Sequence, residues 1–167
     1  MTIREVRLFG DPVLRSRADE ITTFDSALRT LAEDMLETME EHHGVGLAAN
    51  QVGILQRIFV YDCSHETEGA RGVVINPRWE ALDEDTELGN EGCLSIPGVH
   101  KDVERAARIR CTGQDLEGEE ISFEATGLLA RCVQHETDHL DGVLFLSRLS
   151  PALRKEAMAE IRASEWF

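Results

Sequence analysis

The chain has 167 residues, 42% hydrophobic and 29% charged, which is enough to bury a core without covalent staples. Its 17 basic against 32 acidic residues give a net charge of −15 with His neutral. That balance argues against a general polyanion binder, because phosphate contacts need clustered Lys and Arg. The four cysteines, Cys63, Cys93, Cys111 and Cys132, form no C-x-x-C pair and resemble no disulfide framework. Met1-Thr2-Ile3-Arg4-Glu5 lacks the apolar stretch of a signal peptide, and no run approaches a membrane span. One domain over residues 1–167, in a cytoplasmic and reducing compartment, is the expectation.

Residues 1–23 read as irregular, with a turn at Gly10-Asp11-Pro12. From Asp25 to His43 the pattern is helical. Leu28, Leu31, Ala32, Met35, Leu36 and Met39 recur at steps of three and four, Asp25 suits the N-cap, and Gly44 suits the end. Glu33, Asp34, Glu37 and Glu40 fall on the opposite, solvated face. His42 and His43 suit the negative end of the helix dipole better than a metal. Gly44-Val45-Gly46-Leu47-Ala48-Ala49-Asn50-Gln51-Val52-Gly53 is a loop of small residues where backbone can approach another group closely. It lacks the spacing of a phosphate-binding loop.

Arg57–Asp62 and Gly72–Asn76 read as strands, the second ended by Pro77, with a third at Trp79–Leu82. Asp83–Glu87 is an acidic run without calcium-loop spacing. Glu91-Gly92-Cys93-Leu94-Ser95-Ile96-Pro97-Gly98 sets one cysteine among small residues. Val103–Gln114 and Glu119–Glu124 read as strands joined by a hairpin at Asp115-Leu116-Glu117-Gly118. A helix follows from Gly127 to Leu140, with Thr126 as N-cap and Gly142 beyond its end. Pro151 opens a terminal helix to about Ser164. The order of elements predicts an α+β domain, antiparallel strands packed around a central helix and a C-terminal helix after it.

That central helix carries His135-Glu136-Thr137-Asp138-His139. Residues four apart share a helix face, so the two imidazoles can hold one metal ion with the Glu beside it as general base. A catalytic site commonly has three protein ligands and one open position. The third is open at this point: Glu156 or Glu160 of the last helix, or Cys93. On the helix, Leu128, Arg131 and Cys132 line up on the side of His135.

Gly44-Val-Gly-Leu-Ala-Ala-Asn-Gln51, Glu91-Gly-Cys-Leu-Ser95 and Gln134-His-Glu-Thr-Asp-His-Leu140 together resemble the three signature motifs of peptide deformylases, in order and spacing, over essentially the whole chain. The resemblance implies one divalent metal ion held by Cys93, His135 and His139 with a fourth position for water. In the family this is typically Fe²⁺, replaceable by Ni²⁺, Co²⁺ or Zn²⁺. It gives Glu136 the role of acid–base, and the Gln51 amide and the Leu94 backbone N–H the role of stabilising the oxyanion. Gly46 would let substrate backbone lie against its loop. Val45, Leu128, Arg131 and Cys132 would line the methionine pocket, with the Arg131 head left in water. His100 is a candidate contact to substrate backbone, and Glu91 and Arg105 a candidate pair holding the Cys93 segment.

The implied reaction is hydrolysis of the formyl group from N-formylmethionyl nascent peptides at the ribosome, releasing formate, with neither specific nucleic-acid binding nor membrane association. Two other readings compete: an endopeptidase using Glu156 or Glu160 as third ligand, and a non-catalytic adaptor on the same fold. The first leaves the Cys93 and Gln51 stretches without a role. The second is expected to have lost Glu136 or Gln51.

Overall fold

The computed structural model describes residues 2–167. Its helices are α1 (Ser26–Glu41), α2 (Gly127–Leu140) and α3 (Pro151–Ala163). Its strands are β1 (Gly46–Ala48), β2 (Ile58–Asp62), β3 (Arg71–Ala81), β4 (Thr86–Cys93), β5 (Ile96–Ala106), β6 (Arg108–Gln114) and β7 (Glu120–Thr126). Five strands form an antiparallel sheet in the order β1-β2-β3-β6-β7, and β4-β5 form a separate two-stranded sheet. The expected α+β architecture is the one observed.

Alternation along the strands separates two cores. Ile58 and Val60 of β2 and Ile75 of β3 face α1, where they meet Leu28, Leu31, Met35 and Met39. Phe59 and Val74 point to the other face and pack with Leu129, Val133 and Leu140 of α2. A third cluster joins Ile96, Val99 and Val103 of β5 to Phe145, Leu146, Ala157 and Ile161. The catalytic-motif helix is therefore enclosed: α2 has the five-stranded sheet on one side and the β4-β5 hairpin on the other. Its C-terminal end is fixed by Arg57, whose guanidinium donates to the Leu140 carbonyl at 3.0 Å and pairs with Asp141 at 2.9 Å. A cation there also suits the helix dipole.

Several local expectations are corrected. Pro77 does not end a strand. It sits in a register shift between Ile75 and Arg78, so β3 runs on as one 11-residue strand. A residue without an N–H is tolerated at such a bulge. Asn76 turns there with φ 51°, and its amide both accepts from Ile21 N–H and donates to Ile21 C=O, each at 2.8 Å. The stretch 103–114 is not one strand, because Ala107 separates β5 from β6 and so divides it between two sheets. The Gly44–Gly53 segment is not all loop, since β1 and a 3-10 turn over Ala49–Val52 occupy it. Asp34 is buried rather than solvated, taking the Thr2 N–H and the Arg4 guanidinium. At the end of α1 the left-handed residue is His43, with φ 56°, and not Gly44. Thr126 occupies the N-cap of α2 without a side-chain bond. Glu66 takes the Leu128 N–H instead, at 3.3 Å.

Candidate metal centre

Helical spacing places His135 and His139 on one face of α2, with Nε2 to Nε2 at 3.1 Å. Cys93, at the end of β4, brings its Sγ to 3.3 Å from His139 Nε2. The three ligand atoms all lie within 4.8 Å of one another. Glu156 and Glu160 go elsewhere: both face Lys101 on the outside of α3. Of the three candidates for a third ligand, Cys93 lies beside the histidines and the two glutamates do not.

The tautomer of His135 follows from its other nitrogen. Nδ1 lies 2.8 Å from Glu91 Oε1, a carboxylate that only accepts, so Nδ1 carries a proton in either ring form and Nε2 is the nitrogen turned to the site, with a free lone pair once the ring is neutral. Burial opposes charge on both rings. At His135, the surrounding Cys93, Glu136 and Glu91 outweigh burial and hold its pKa well above the usual imidazole range. At His139, burial and the neighbouring His135 cation keep the ring neutral. The pocket thus favours one positive charge, on His135 beside the Glu91 carboxylate. Two imidazole nitrogens and one thiolate are a donor set suited to Fe²⁺ or Zn²⁺, so the residues fit a bound divalent ion.

Glu136 is buried beside this cluster, and its Oε1 makes no hydrogen bond. Burial is the main cause that pushes its carboxyl up to about 7, near the value a base needs to work at neutral pH. A Cβ on Gly46 would come within 2.6 Å of Glu136 Oε2 and 2.7 Å of Cys132 Sγ. Only glycine fits there.

Gln51 is fixed end for end. The Ala48 N–H can only donate, so the atom facing it at 3.0 Å is Oε1. Nε2 therefore points at Ser95 Oγ (3.1 Å) and Cys93 Sγ (3.5 Å), a donor aimed into the site.

Glu91 is the hub of the supports. It accepts from Arg105 twice, from Arg131 and from His135, each at 2.8 Å. Burial would raise its pKa, but Arg105 and His135 overrule that and hold it well below the carboxylate range. Arg105 also donates to Asp138 at 2.8 Å, and Arg148 binds the same carboxylate. The expected Glu91–Arg105 pair is present. The expectation that the Arg131 head stays in water is overturned: it donates to Glu91 and to the carbonyls of Val103 (2.7 Å) and Glu87 (2.9 Å). With the Arg131 side chain only 11% exposed, those acceptors take most of its N–H groups in place of water.

A cleft of about 500 Å³ opens beside the cluster, lined among others by Val45, Gly46, Gln51, Leu94, Leu128, Arg131, Cys132 and His100. The candidate pocket residues are all brought together there. A hydrogen bond with Cys63, then burial, push the Cys132 thiol well up, so it lines the wall as a neutral group. Sequence reasoning missed Ser95, Asp138, Arg148 and the role of Gln134. Gln134 bonds both backbone groups of Ala106, accepting at 3.0 Å and donating at 2.9 Å, where the chain passes from one sheet to the other. Its place next to His135 was the available signal.

A family model described as polypeptide deformylase matches residues 3–155. Peptide deformylase 1 of Corynebacterium glutamicum is 64% identical, covering 100% of this chain and 99% of that protein. The crystal structure of peptide deformylase from Thermotoga maritima is 46% identical with a TM-score of 0.85, covering 90% of this chain and 100% of that one. That of a peptide deformylase from Synechococcus elongatus in complex with actinonin is 43% identical with a TM-score of 0.88, covering 94% of this chain and 86% of that one. On the converging motifs and on these matches, the chain belongs to the polypeptide deformylase family.

Proposed function

We propose that Cys93, His135 and His139 hold one divalent ion, Fe²⁺ in the native protein, and that the adjoining cleft takes N-formylmethionyl peptides. As a family member the chain is a hydrolase that removes the formyl group from newly made proteins. The observation that carries the site reading is the meeting of Cys93 with both histidines while Glu156 and Glu160 stay on Lys101. Zn²⁺, Ni²⁺ and Co²⁺ suit the same donors.

When bound, the ion supplies Lewis acidity, polarising a carbonyl and lowering the pKa of water. The chain's own groups do the rest. Glu136 takes a proton from the attacking water and gives it to the departing amine. Gln51 Nε2 and the Leu94 N–H donate to the oxygen that becomes negative. The Glu91–His135 bond keeps the imidazole Nε2 lone pair on the site. Val45, Leu128, the Arg131 stem and neutral Cys132 form the apolar wall for the methionine side chain. Gly46, which lets Glu136 and Cys132 pack against its loop, lies on the cleft wall where substrate backbone would run.

We read residues 1–167 as one catalytic domain that meets its substrates transiently at the ribosome, in the cytoplasm. In the described residues, no helix is long and apolar enough to cross a membrane.

The test is formate release from formyl-Met-Ala-Ser, compared with deacylation of acetyl-Met-Ala-Ser. An extra methyl in a tight pocket costs about 1–3 kcal/mol, so the acetyl peptide should be roughly 5- to 150-fold poorer. Equal rates, or cleavage of internal bonds in an unformylated peptide without formate release, would overturn the assignment. Activity should decay in air and persist under argon or after Ni²⁺ exchange. Equal lifetimes would replace Fe²⁺ with Zn²⁺ and leave the reaction unchanged.

A further inference from the structure

The rim of the cleft contains a gap in the β4-β5 ladder. Cys93 pairs with Ile96, and pairing resumes only at Glu91 with Lys101. Residues 97–100 of β5 therefore bulge out of register opposite Gly92 of β4. Pro97 has no N–H to offer, and Gly98 turns with φ 81° and is exposed. Yet Pro97, Gly98 and His100 line the cleft, beside Leu94 and Cys93. A segment that bulges out of its ladder depends more on contacts from elsewhere to hold its shape.

That support comes from the far end of the chain. After α3, Ser164 turns the backbone by bonding Ile161 C=O. The tail then folds back against the hairpin. Trp166 Nε1–H donates to the Pro97 carbonyl at 3.0 Å. Its ring packs on the cluster that contains Ile96 and Val99 and borders Cys93. Phe167 stands edge-on to Trp166 and lies 6.0 Å from Phe9, centroid to centroid. Phe9 N–H in turn bonds Ser95 C=O at 2.8 Å, and the Ser95 hydroxyl accepts from Gln51. Both sides of the turn that carries Cys93 and Leu94 are thus braced by the two termini. Trp166 lies beyond residue 155, where the match to the family model ends.

We propose that Trp166 is a positioning residue for the substrate cleft, its indole N–H and ring holding the Pro97–Gly98 rim in the shape that receives the peptide. The proposal rests on the reading of this cleft as the substrate site. The Trp166 hydrogen bond goes to the Pro97 rim and not to the ligands or the base, so its loss acts on substrate binding and not on the chemical step.

The test uses metal-loaded full-length protein. Trp166→Phe keeps an aromatic ring and removes the donor. It should raise KM for formyl-Met-Ala-Ser about two- to tenfold, the worth of one net hydrogen bond, with kcat and metal content within twofold of the unmodified protein. Trp166→Ala removes the ring contacts too and should raise KM further. A second measurement uses emission. The chain has two tryptophans, and Trp79 lines a different cleft, so Trp79→Phe leaves Trp166 as the sole reporter. In Trp79→Phe combined with Glu136→Gln, where turnover is slow, Trp166 emission should change saturably with added formyl-Met-Ala-Ser. An unchanged KM in both Trp166 variants, a kcat that falls in step with metal content, or an emission blind to the peptide would each overturn the proposal. Absence of formate release by the unmodified protein would instead overturn the deformylase reading beneath it.

Discussion

The two histidines and the cysteine reach one point from supports of different physical kinds. His135 and His139 stand on a helix seated by Leu129, Val133 and Leu140 on the apolar face of a five-stranded sheet. Cys93 stands on a two-stranded hairpin, and the ties from that hairpin to the helix are ionic: Glu91 and Arg105 against Arg131, His135 and Asp138. Apolar packing is non-directional and fixes a helix by shape. Hydrogen-bonded charges are directional and fix an atom by angle as well as distance. The first suits a rigid platform. The second suits a ligand arm that has to end at one orientation.

The sharpest way to break that contrast is to damage each support separately. Arg105→Met leaves Glu91 and Asp138 buried with fewer partners, and breaking a buried ion pair from one side costs about 3–5 kcal/mol. Phe59→Ala, in the apolar support, also costs about 3–5 kcal/mol by cavity formation. Denaturant unfolding should therefore rank the two alike. Metal affinity should not: Arg105→Met loosens the Glu91–His135 bond and should weaken binding about 10- to 100-fold, while Phe59→Ala leaves it near the starting value. Equal losses of metal affinity in both variants would erase the distinction.

The next effect separates holding from chemistry. Glu136→Gln keeps shape and removes the base, so bound metal should stay near one per chain while kcat drops about 10²-fold or more. Undiminished turnover would remove Glu136 from the mechanism.

Both supports were legible in the sequence to different degrees. Of the apolar one, the helix and the strand Arg57–Asp62 were read as elements, while periodicity reported burial for the neighbouring core under α1, where Leu28, Leu31, Met35 and Met39 lie inside as their spacing required. The meeting of Cys93 with the histidines was read too, but through the resemblance of three motifs. Spacing alone left Glu156 and Glu160 in contention, since a ligand from a distant segment carries no periodic mark.

The ionic support was harder to read. Asp34 looks like a solvated helix residue until Thr2 and Arg4 are seen to fold over it, and Arg131 like a snorkelling one until Glu87 and Val103 take its N–H groups. Buried charges obey their partners, and those partners lie 30 or more residues away for Asp34. The strands 71–81 and 96–106 were misdivided for a related reason. Pro77 and Ala107 punctuate the chain where only tertiary pairing decides whether a strand continues.

Asp34 gives the smallest predicted effect and a third comparison, with the N-terminal strap it holds. The Thr2 N–H and then Arg4 lower its carboxyl pKa below the ordinary 3.8. A depressed folded-state value contributes stability above the unfolded pKa and loses it as pH falls through the folded one. Stability should fall below about pH 4 partly through this group, and Asp34→Asn should flatten that part of the profile while leaving stability at pH 7 lower. A variant whose acid limb is as steep as that of the unmodified protein would remove Asp34 from it.

The central claim is that Cys93, carried by the charged hairpin, closes a site with two histidines carried by the apolar-seated helix. Metal content of anaerobically purified Cys93→Ala, measured beside Glu160→Ala, tests it most directly. The account predicts loss of most bound metal in the cysteine variant and about one ion per chain in the glutamate variant, since a three-ligand site cannot readily spare one ligand. Near-stoichiometric metal in Cys93→Ala, or its loss from Glu160→Ala, would contradict it.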